Sequence, residues 1–377
     1  MDFGFSEEQE MLRTLARDFL AEQCPKAKVR ELEKDEKGYD PQMWHSMAEL
    51  GWMGLVFPEE YGGAGASFLE LTVLMEEMGR NILPGPFFPT IVLCALPILE
   101  YGTGEQKAKL LPPITKGEAI WAFALTESSG SYGASEIRLR ASLEGEDYIL
   151  EGEKFFVQDA HVADYLLVVA RTEDEKAPEK GITLFVADAK DPALKVEVIP
   201  TIAADRQCRV SFNRARVSRS SVLGDVGQGW DIVDFILQRG AILKSAEISG
   251  ACQAVLDMTS AYAKERVQFE RPIGSFQAVQ TKLADMLIDV EGISYLLYQA
   301  AWGISVGSPS SLQVSIAKAK ASEAYQRICV DGITAHGAIG FTMDHDIGLY
   351  YRRVKAAEFA AGNMDLHRET IAVELGL

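Results

Sequence analysis

One stretch of this chain gathers side chains able to hold a ligand. Residues 262–277 read Tyr-Ala-Lys-Glu-Arg-Val-Gln-Phe-Glu-Arg-Pro-Ile-Gly-Ser-Phe-Gln. Arg266 offers a fixed cationic fork suited to phosphate, Phe269 an apolar face for a ring, and Gln277 an amide that both donates and accepts. The pattern predicts a long helix ending through Arg266 and Phe269, a break at Pro272 and a new helix from Gln277. The plainer alternative is a helix-terminal arginine and a core phenylalanine, and spacing alone favours it.

Little else in the sequence competes. There is no phosphate-binding P-loop, no strand followed by GxGxxG and no GxSxG elbow. Gly62-Gly63-Ala64-Gly65 lacks a flanking strand and helix and reads as a turn. His345, between Asp344 and Asp346, is the one ligand-like cluster, and a solvated loop describes it better than a metal site.

The elements that must position these residues follow from periodicity. Ser6 and Gln9 form a capping box ahead of a helix carrying Leu12, Leu15, Ala16 and Phe19 at helical spacing. Asp40 and Pro41 start a second helix that stops at Gly51. A third runs over 68–78 and is broken at Leu83-Pro84-Gly85-Pro86. More helix follows through the nineties to Leu111, and Pro112-Pro113 ends it. From Ile120 the period changes to that of strands, at 122–126, 138–143, 148–157, 165–170, 182–187 and 196–199. A hairpin turn sits at Gly145-Glu146-Asp147, and the spacing suggests a small sandwich or barrel. Beyond Gly229 four long helices, 230–270, 276–306, 312–332 and 347–375, read as an antiparallel bundle. The expected fold is α+β: an N-terminal helical domain (1–118), a middle β domain (119–225) and a C-terminal helical bundle (226–377).

Composition bounds the function. The 377 residues allow two or three domains, and a net charge of −18 argues against a nucleic-acid binder and against a polybasic membrane anchor. No run of about 18 apolar residues occurs, so no membrane span is expected. The acidic start, residues 1–10, does not read as a secretory signal. Cys24, Cys94, Cys208, Cys252 and Cys329 are scattered and odd in number, and are expected to be buried thiols of a reducing, cytoplasmic compartment.

The 266–277 segment resembles the acyl-CoA dehydrogenase signature R-x-x-F-x-x-P-I-x-x-F-Q. Agreement extends to the loop from Gly51 through Gly65, to Ala124-Leu125-Thr126-Glu127 up to Ser131, to the turn His336-Gly337-Ala338-Ile339-Gly340-Phe341-Thr342 and to Tyr350 through Arg353. The resemblance covers essentially the whole chain and has the same domain order. It implies that Arg266, Phe269 and Gln277 contact an FAD bound mainly by a neighbouring subunit. It sets Gly337 to Gly340 against that cofactor's pyrophosphate and adenosine, where glycine permits close backbone approach to an anion. Thr126 would lie against the isoalloxazine, and Ser131 would sit where flavin or acyl-CoA binds. A shared cofactor site implies an oligomer, a homotetramer or an α2β2 heterotetramer.

Departures from the family pattern are informative. The usual T-E-P-G-A-G-S-D becomes Thr126-Glu127-Ser128-Ser129-Gly130-Ser131-Tyr132, and W-x-T becomes Phe156-Val157-Gln158. Phe156 can stack on a flavin without an indole donor, and Gln158 can donate near the flavin N5. Glu270 replaces a frequent glycine. The two positions where family members carry a catalytic carboxylate hold Ala361 and Gly240, neither of which accepts a proton. Glu247 is the candidate base. With Lys244 it is the only charged residue from Ala241 to Leu256, and small residues, Gly250 and Ala251, lie one turn away. A carboxylate on such a face is costly unless paired or used. The competing reading is an i,i+3 pair with Lys244.

The resemblance therefore implies FAD-dependent α,β-dehydrogenation of an acyl-CoA, an α-proton passing to a carboxylate, a β-hydride to flavin N5 and electrons onward to an electron-transfer flavoprotein. A catalytically silent partner subunit that keeps the Arg266/Gln277 half of the cofactor site is the first rival. A flavin oxidase or monooxygenase on the same fold is the second.

Overall fold

A computed structural model describes residues 4–174 and 176–377. In chain order the N-terminal helices are α1 (Glu7–Gln23), α2 (Lys26–Leu32), α3 (Pro41–Glu49) and α4 (Phe68–Asn81). Their starts follow the sequence closely. Ser6 and Gln9 close a reciprocal capping box, Asp40 caps α3 ahead of Pro41, and Ser67 with Glu70 repeats the box on α4.

The next helical stretch corrects the expectation of one helix ended by two prolines. A π-helical segment (Phe88–Ala95) runs into α5 (Leu96–Tyr101), and Thr103 caps a separate α6 (Gly104–Thr115) that contains Pro112 and Pro113. The prolines delete two donors of the last turn. The helix persists around buried Leu111 and Ile114, and Lys116 and Glu118 donate to the Pro112 and Pro113 carbonyls.

The strands are β1 (Trp121–Ala124), β2 (Arg140–Glu144), β3 (Asp147–Gln158), β4 (Tyr165–Arg171), β5 (Ile182–Asp188), β6 (Leu194–Ile199), β7 (Gln207–Ser218) and β8 (Val222–Leu223). The sheet order is β6-β7-β3-β2-β4-β5-β8, with β1 parallel beside β4. Its halves join through one pair, Arg140 with Arg171, and then face each other: the rings of Tyr148 on β3 and Phe185 on β5 stand 5.0 Å apart. β7, twelve residues long, was not foreseen in the sequence. Cys208, Val210 and Phe212 alternate inward. Arg214, at φ 59°, then inserts a bulge that turns Ala215 and Val217 inward instead.

The C-terminal helices are α7 (Trp230–Glu265), α8 (Gln277–Ser305), α9 (Ser311–His336), α10 (Ile347–Phe359) and α11 (Met364–Glu374). Two expectations need correction. α7 stops at Glu265, and Arg266–Pro272 is not helix: β9 (Val267–Gln268) and β10 (Arg271–Pro272) form a small hairpin. The expected last helix is two helices, separated where Ala361 and Gly362 take left-handed backbone (φ 55° and 99°).

The chain forms two compact units. One holds the described part of Met1–Glu31 with Ser67–Leu83 and Ala241–Leu377, and its core includes Leu71, Leu74, Leu243, Val255, Leu297 and Ile328. The other holds Leu32–Ala66 and Pro84–Gly240, around Trp52, Phe57, Trp121, Leu150, Phe185 and Phe212. All five cysteines are buried, and none is joined in a disulfide. No helix is long and apolar enough to cross a membrane among the described residues.

Candidate active site

In the first unit the 266–277 segment presents its side chains outward. Arg266 is exposed, and its backbone ties the hairpin down by accepting from Ile273 N at 2.8 Å. Phe269 and Glu270 form the hairpin turn, both left-handed at φ 50° and 66°. A two-residue turn of this hand normally calls on asparagine or glycine, and a left-handed non-glycine residue costs about 1–2 kcal/mol. Phe269 is 87% exposed, which overturns its reading as a core residue. Gln277 opens α8 and is also exposed.

The glycine turn lies at the end of α9. Gly337 has φ 67° and ψ −140°, a conformation available essentially to glycine alone, and a Cβ added there would meet nothing within 4 Å. Open space therefore faces that backbone. Gly340 serves packing, since its Cβ would stand 2.9 Å from the Ile333 carbonyl oxygen. Beside the turn, the buried His336 directs Nδ1 at the Gly332 carbonyl (2.8 Å), which fixes that nitrogen as the donor and leaves buried Nε2 with no partner. His336 stacks on Tyr262 and meets His345 edge-on. His345 Nδ1 accepts from Ile347 N at 3.2 Å, while Asp346 pairs with Arg30 at 2.7 Å.

Glu247 sits on α7 where that helix crosses α4. The small neighbours that the sequence suggests leave room beside it do something else: a Cβ at Gly250 would stand 1.8 Å from the Glu76 carbonyl oxygen, and one at Gly79 would stand 1.9 Å from that of Glu247. The glycines let two backbones touch. Glu247 nevertheless lines a small pocket partly open to solvent, together with Ile82, Ile248, Ala251, Tyr325, Arg353 and Ala357. Its Oε2 accepts from Lys244 Nζ at 2.5 Å, and the carboxylate side chain is 28% exposed. Arg353 brings a buried Nε with no hydrogen-bond partner, and Tyr325 donates to the Tyr350 carbonyl at 3.0 Å. Tyr325 was not singled out in the sequence, and Arg353 entered only as the end of the Tyr350–Arg353 stretch. The only signal was their place on helices facing α7.

Near Ala361 the ends of α10 and α11 are held by Lys318 and His367. Buried Lys318 donates to the carbonyls of Ala357, Glu358 and Gly362 and to Ser322 Oγ, at 3.0–3.2 Å. Burial first, and Lys244 second, push its ammonium down to about 7. His367 Nε2 lies 3.1 Å from the Ala361 carbonyl, and burial pushes that imidazole down to about 4.

In the second unit Thr126 is buried, and its hydroxyl donates to the Phe155 carbonyl at 2.5 Å. Toward any further group it can only accept. Phe156 is 53% exposed on left-handed backbone (φ 54°). Gln158 turns its amide nitrogen to Asp159 Oδ2 at 3.2 Å, and Ser131 Oγ accepts from Gly133 N at 3.1 Å. Within each unit the residues suit a flat ring and an anion: exposed Phe269, exposed Arg266 and the open Gly337 backbone in one, exposed Phe156 in the other.

Comparison with known proteins gives three successive matches. Residues 6–118 match the acyl-CoA dehydrogenase N-terminal domain, 122–215 the middle domain and 227–376 the C-terminal domain. The chain is 34% identical to a 3-(aryl)acrylate reductase of Clostridium sporogenes, over 98% of this chain and 99% of that protein. It superposes on butyryl-CoA dehydrogenase from Megasphaera elsdenii with a TM-score of 0.93 at 29% identity, covering 100% of both chains. A chain of the ChsE4-ChsE5 complex from Mycobacterium tuberculosis matches with a TM-score of 0.91 at 30% identity, over 100% of this chain and 99% of that one.

Proposed function

The chain belongs to the acyl-CoA dehydrogenase family, and we propose that Glu247 takes the α-proton of an acyl-CoA thioester in its active site. It is an FAD-dependent oxidoreductase, and FAD when bound supplies the acceptor for the β-hydride. The residues present fit that cofactor: exposed Arg266 can meet a phosphate, the open Gly337 backbone lets an anion approach, and Phe269, Phe156 and Gln277 offer ring faces and an amide. In this reading Gly340 holds the glycine turn, Thr126 and Gln158 border the isoalloxazine, and Ser131 lies toward the acyl-CoA.

The observation that carries the reading is Glu247 itself, the one acidic side chain on its cavity wall, in a chain whose two alternative positions hold Ala361 and Gly240. Lys244 engages Oε2, so the proton goes to Oε1. The test is Glu247→Gln, which keeps shape and removes basicity. FAD content and fold should survive while flavin reduction by acyl-CoA falls by about 10²-fold or more. A native rate places the base elsewhere.

The Lys244–Glu247 pair also favours a second reading, in which the carboxylate is structural and a partner subunit owns the base. Purified alone, such a subunit would bind FAD yet show no flavin reduction with any acyl-CoA. The wider proposal is a tetramer, homomeric or α2β2, in the cytoplasm, passing electrons to an electron-transfer flavoprotein, with domain boundaries near 118/119 and 225/226. Light scattering that finds a flavin-loaded monomer would overturn the assembly.

A further inference from the structure

Lys154 lies on β3 with no exposed surface, the kind of placement that lysine tolerates only with partners. Its Nζ donates to the Leu125 carbonyl at 2.9 Å and to Glu127 Oε1 at 2.8 Å. The same Glu127 oxygen accepts from the backbone N–H of Arg138 (2.9 Å) and Leu139 (3.0 Å). Between these bonds lie two more: Phe155 N donates to the Thr126 carbonyl at 2.9 Å, and the Thr126 hydroxyl donates to the Phe155 carbonyl. Residues 125–127 are thus laced to Lys154 and Phe155, directly before Phe156, although neither segment is the other's partner in the sheet.

Next to this lacing, the β3–β7 register slips between Lys154 and Val157, and Phe156 stands outward on left-handed backbone. An aromatic residue keeps that conformation only where its surroundings over-determine it. The ladder cannot do so, because the bulge interrupts it there. What remains is the lacing. Burial is the main force on the Lys154 ammonium, pushing it down to about 8 against the pull of Glu127.

We propose that Lys154 and Glu127 are positioning residues for the flavin ring: they fix the 125–127 segment against β3 so that Thr126 and Phe156 present one prearranged edge and face to it. Neither touches the ring. The inference rests on the reading that Thr126 and Phe156 border the isoalloxazine.

The test uses the full-length FAD-loaded protein with Lys154→Met and Glu127→Gln. Folding is read by circular dichroism, FAD affinity by titration of the deflavinated protein, and the ring's surroundings by the visible spectrum and midpoint potential of the bound flavin. The expected result is folded protein whose FAD Kd rises by about tenfold or more, with a changed spectrum and potential in both variants. Folded variants with wild-type affinity, spectrum and potential would overturn the proposal. Loss of the fold in both variants would overturn it too, because the pair would then be a requirement of folding. A wild-type protein that binds no flavin would instead remove the reading beneath it, so the two failures are distinguishable.

Discussion

Gly79 and Glu247 touch backbone to backbone: a Cβ on the glycine would lie 1.9 Å from the glutamate's carbonyl oxygen. The contact is reciprocal, since Gly250 meets the Glu76 carbonyl oxygen in the same way, and Ser249 Oγ donates to Glu76 Oε1 at 2.8 Å beside it. The candidate base is therefore placed by a glycine-on-glycine helix crossing. Gly79→Ala should push α4 and α7 apart at a point where only backbone can yield, with a cost of about 3 kcal/mol, the upper end of overpacking. Denaturant unfolding checks this, and a loss below about 0.5 kcal/mol would mean that the crossing adjusts freely.

Arg266→Ala should release cofactor. A hydrogen bond to a charged group contributes about 1.5–3 kcal/mol, so FAD Kd should rise roughly 10- to 150-fold. Flavin retained after dilution and gel filtration at the wild-type level would show that Arg266 does not meet the phosphate.

Glu270 occupies a left-handed turn position at φ 66°. Glu270→Gly removes that strain at the expense of a more flexible unfolded chain, for a net gain of about 0.5–1 kcal/mol. Thermal unfolding is the measurement. A lowered midpoint would reveal a stabilising contact of the glutamate side chain.

Lys318 gives a pH dependence of definite sign. Its ammonium is pushed down from the ordinary 10.5 to about 7 by burial, then by Lys244, against the pull of Glu358. Between pH 7 and 10.5 the unfolded chain keeps a proton that the folded chain has released, so raising the pH in that window favours the fold. This one group's share reaches up to about 1.4 kcal/mol per pH unit and vanishes below pH 7, where both states are protonated. Unfolding free energies at pH 7 and 9.5 should rise less steeply in Lys318→Met than in the wild type. Parallel lines would exclude the lysine as a source.

Much of the scaffold was legible because local chemistry marked it. The capping box at Ser6 and the Asp40 cap ahead of Pro41 announce their helices, and the hairpin at Gly145 has a glycine at φ 69° where its turn needs one. Legibility ended where packing overruled local signals. Pro112 and Pro113 remain helical over buried Leu111 and Ile114. β7 hid because arginines at 209, 214 and 216 dilute its apolar alternation and a bulge shifts its phase midway. The Phe269–Glu270 turn carries none of the residue types that signal a left-handed turn. Of the candidate site, Arg266 and Glu247 were readable as isolated charges in meaningful company. The glycine crossing beneath Glu247, the Arg353 and Tyr325 cavity wall and the Lys154 lacing join residues far apart in the chain, and no single-sequence spacing records them.

The sealed placement of two low-affinity amines has a bearing on self-damage. Thioesters acylate unprotonated amines without any catalyst, and an amine with depressed proton affinity is the first to offer its lone pair near neutral pH. Lys154 and Lys318, pushed down to about 8 and about 7, are such amines, and both are wholly enclosed with their hydrogens committed to carbonyl, hydroxyl or carboxylate oxygens. Enclosure keeps these two nitrogens away from activated acyl groups and so shields the β3 lacing and the break between α10 and α11, whereas Lys26, also pushed down to about 8, is only part-buried.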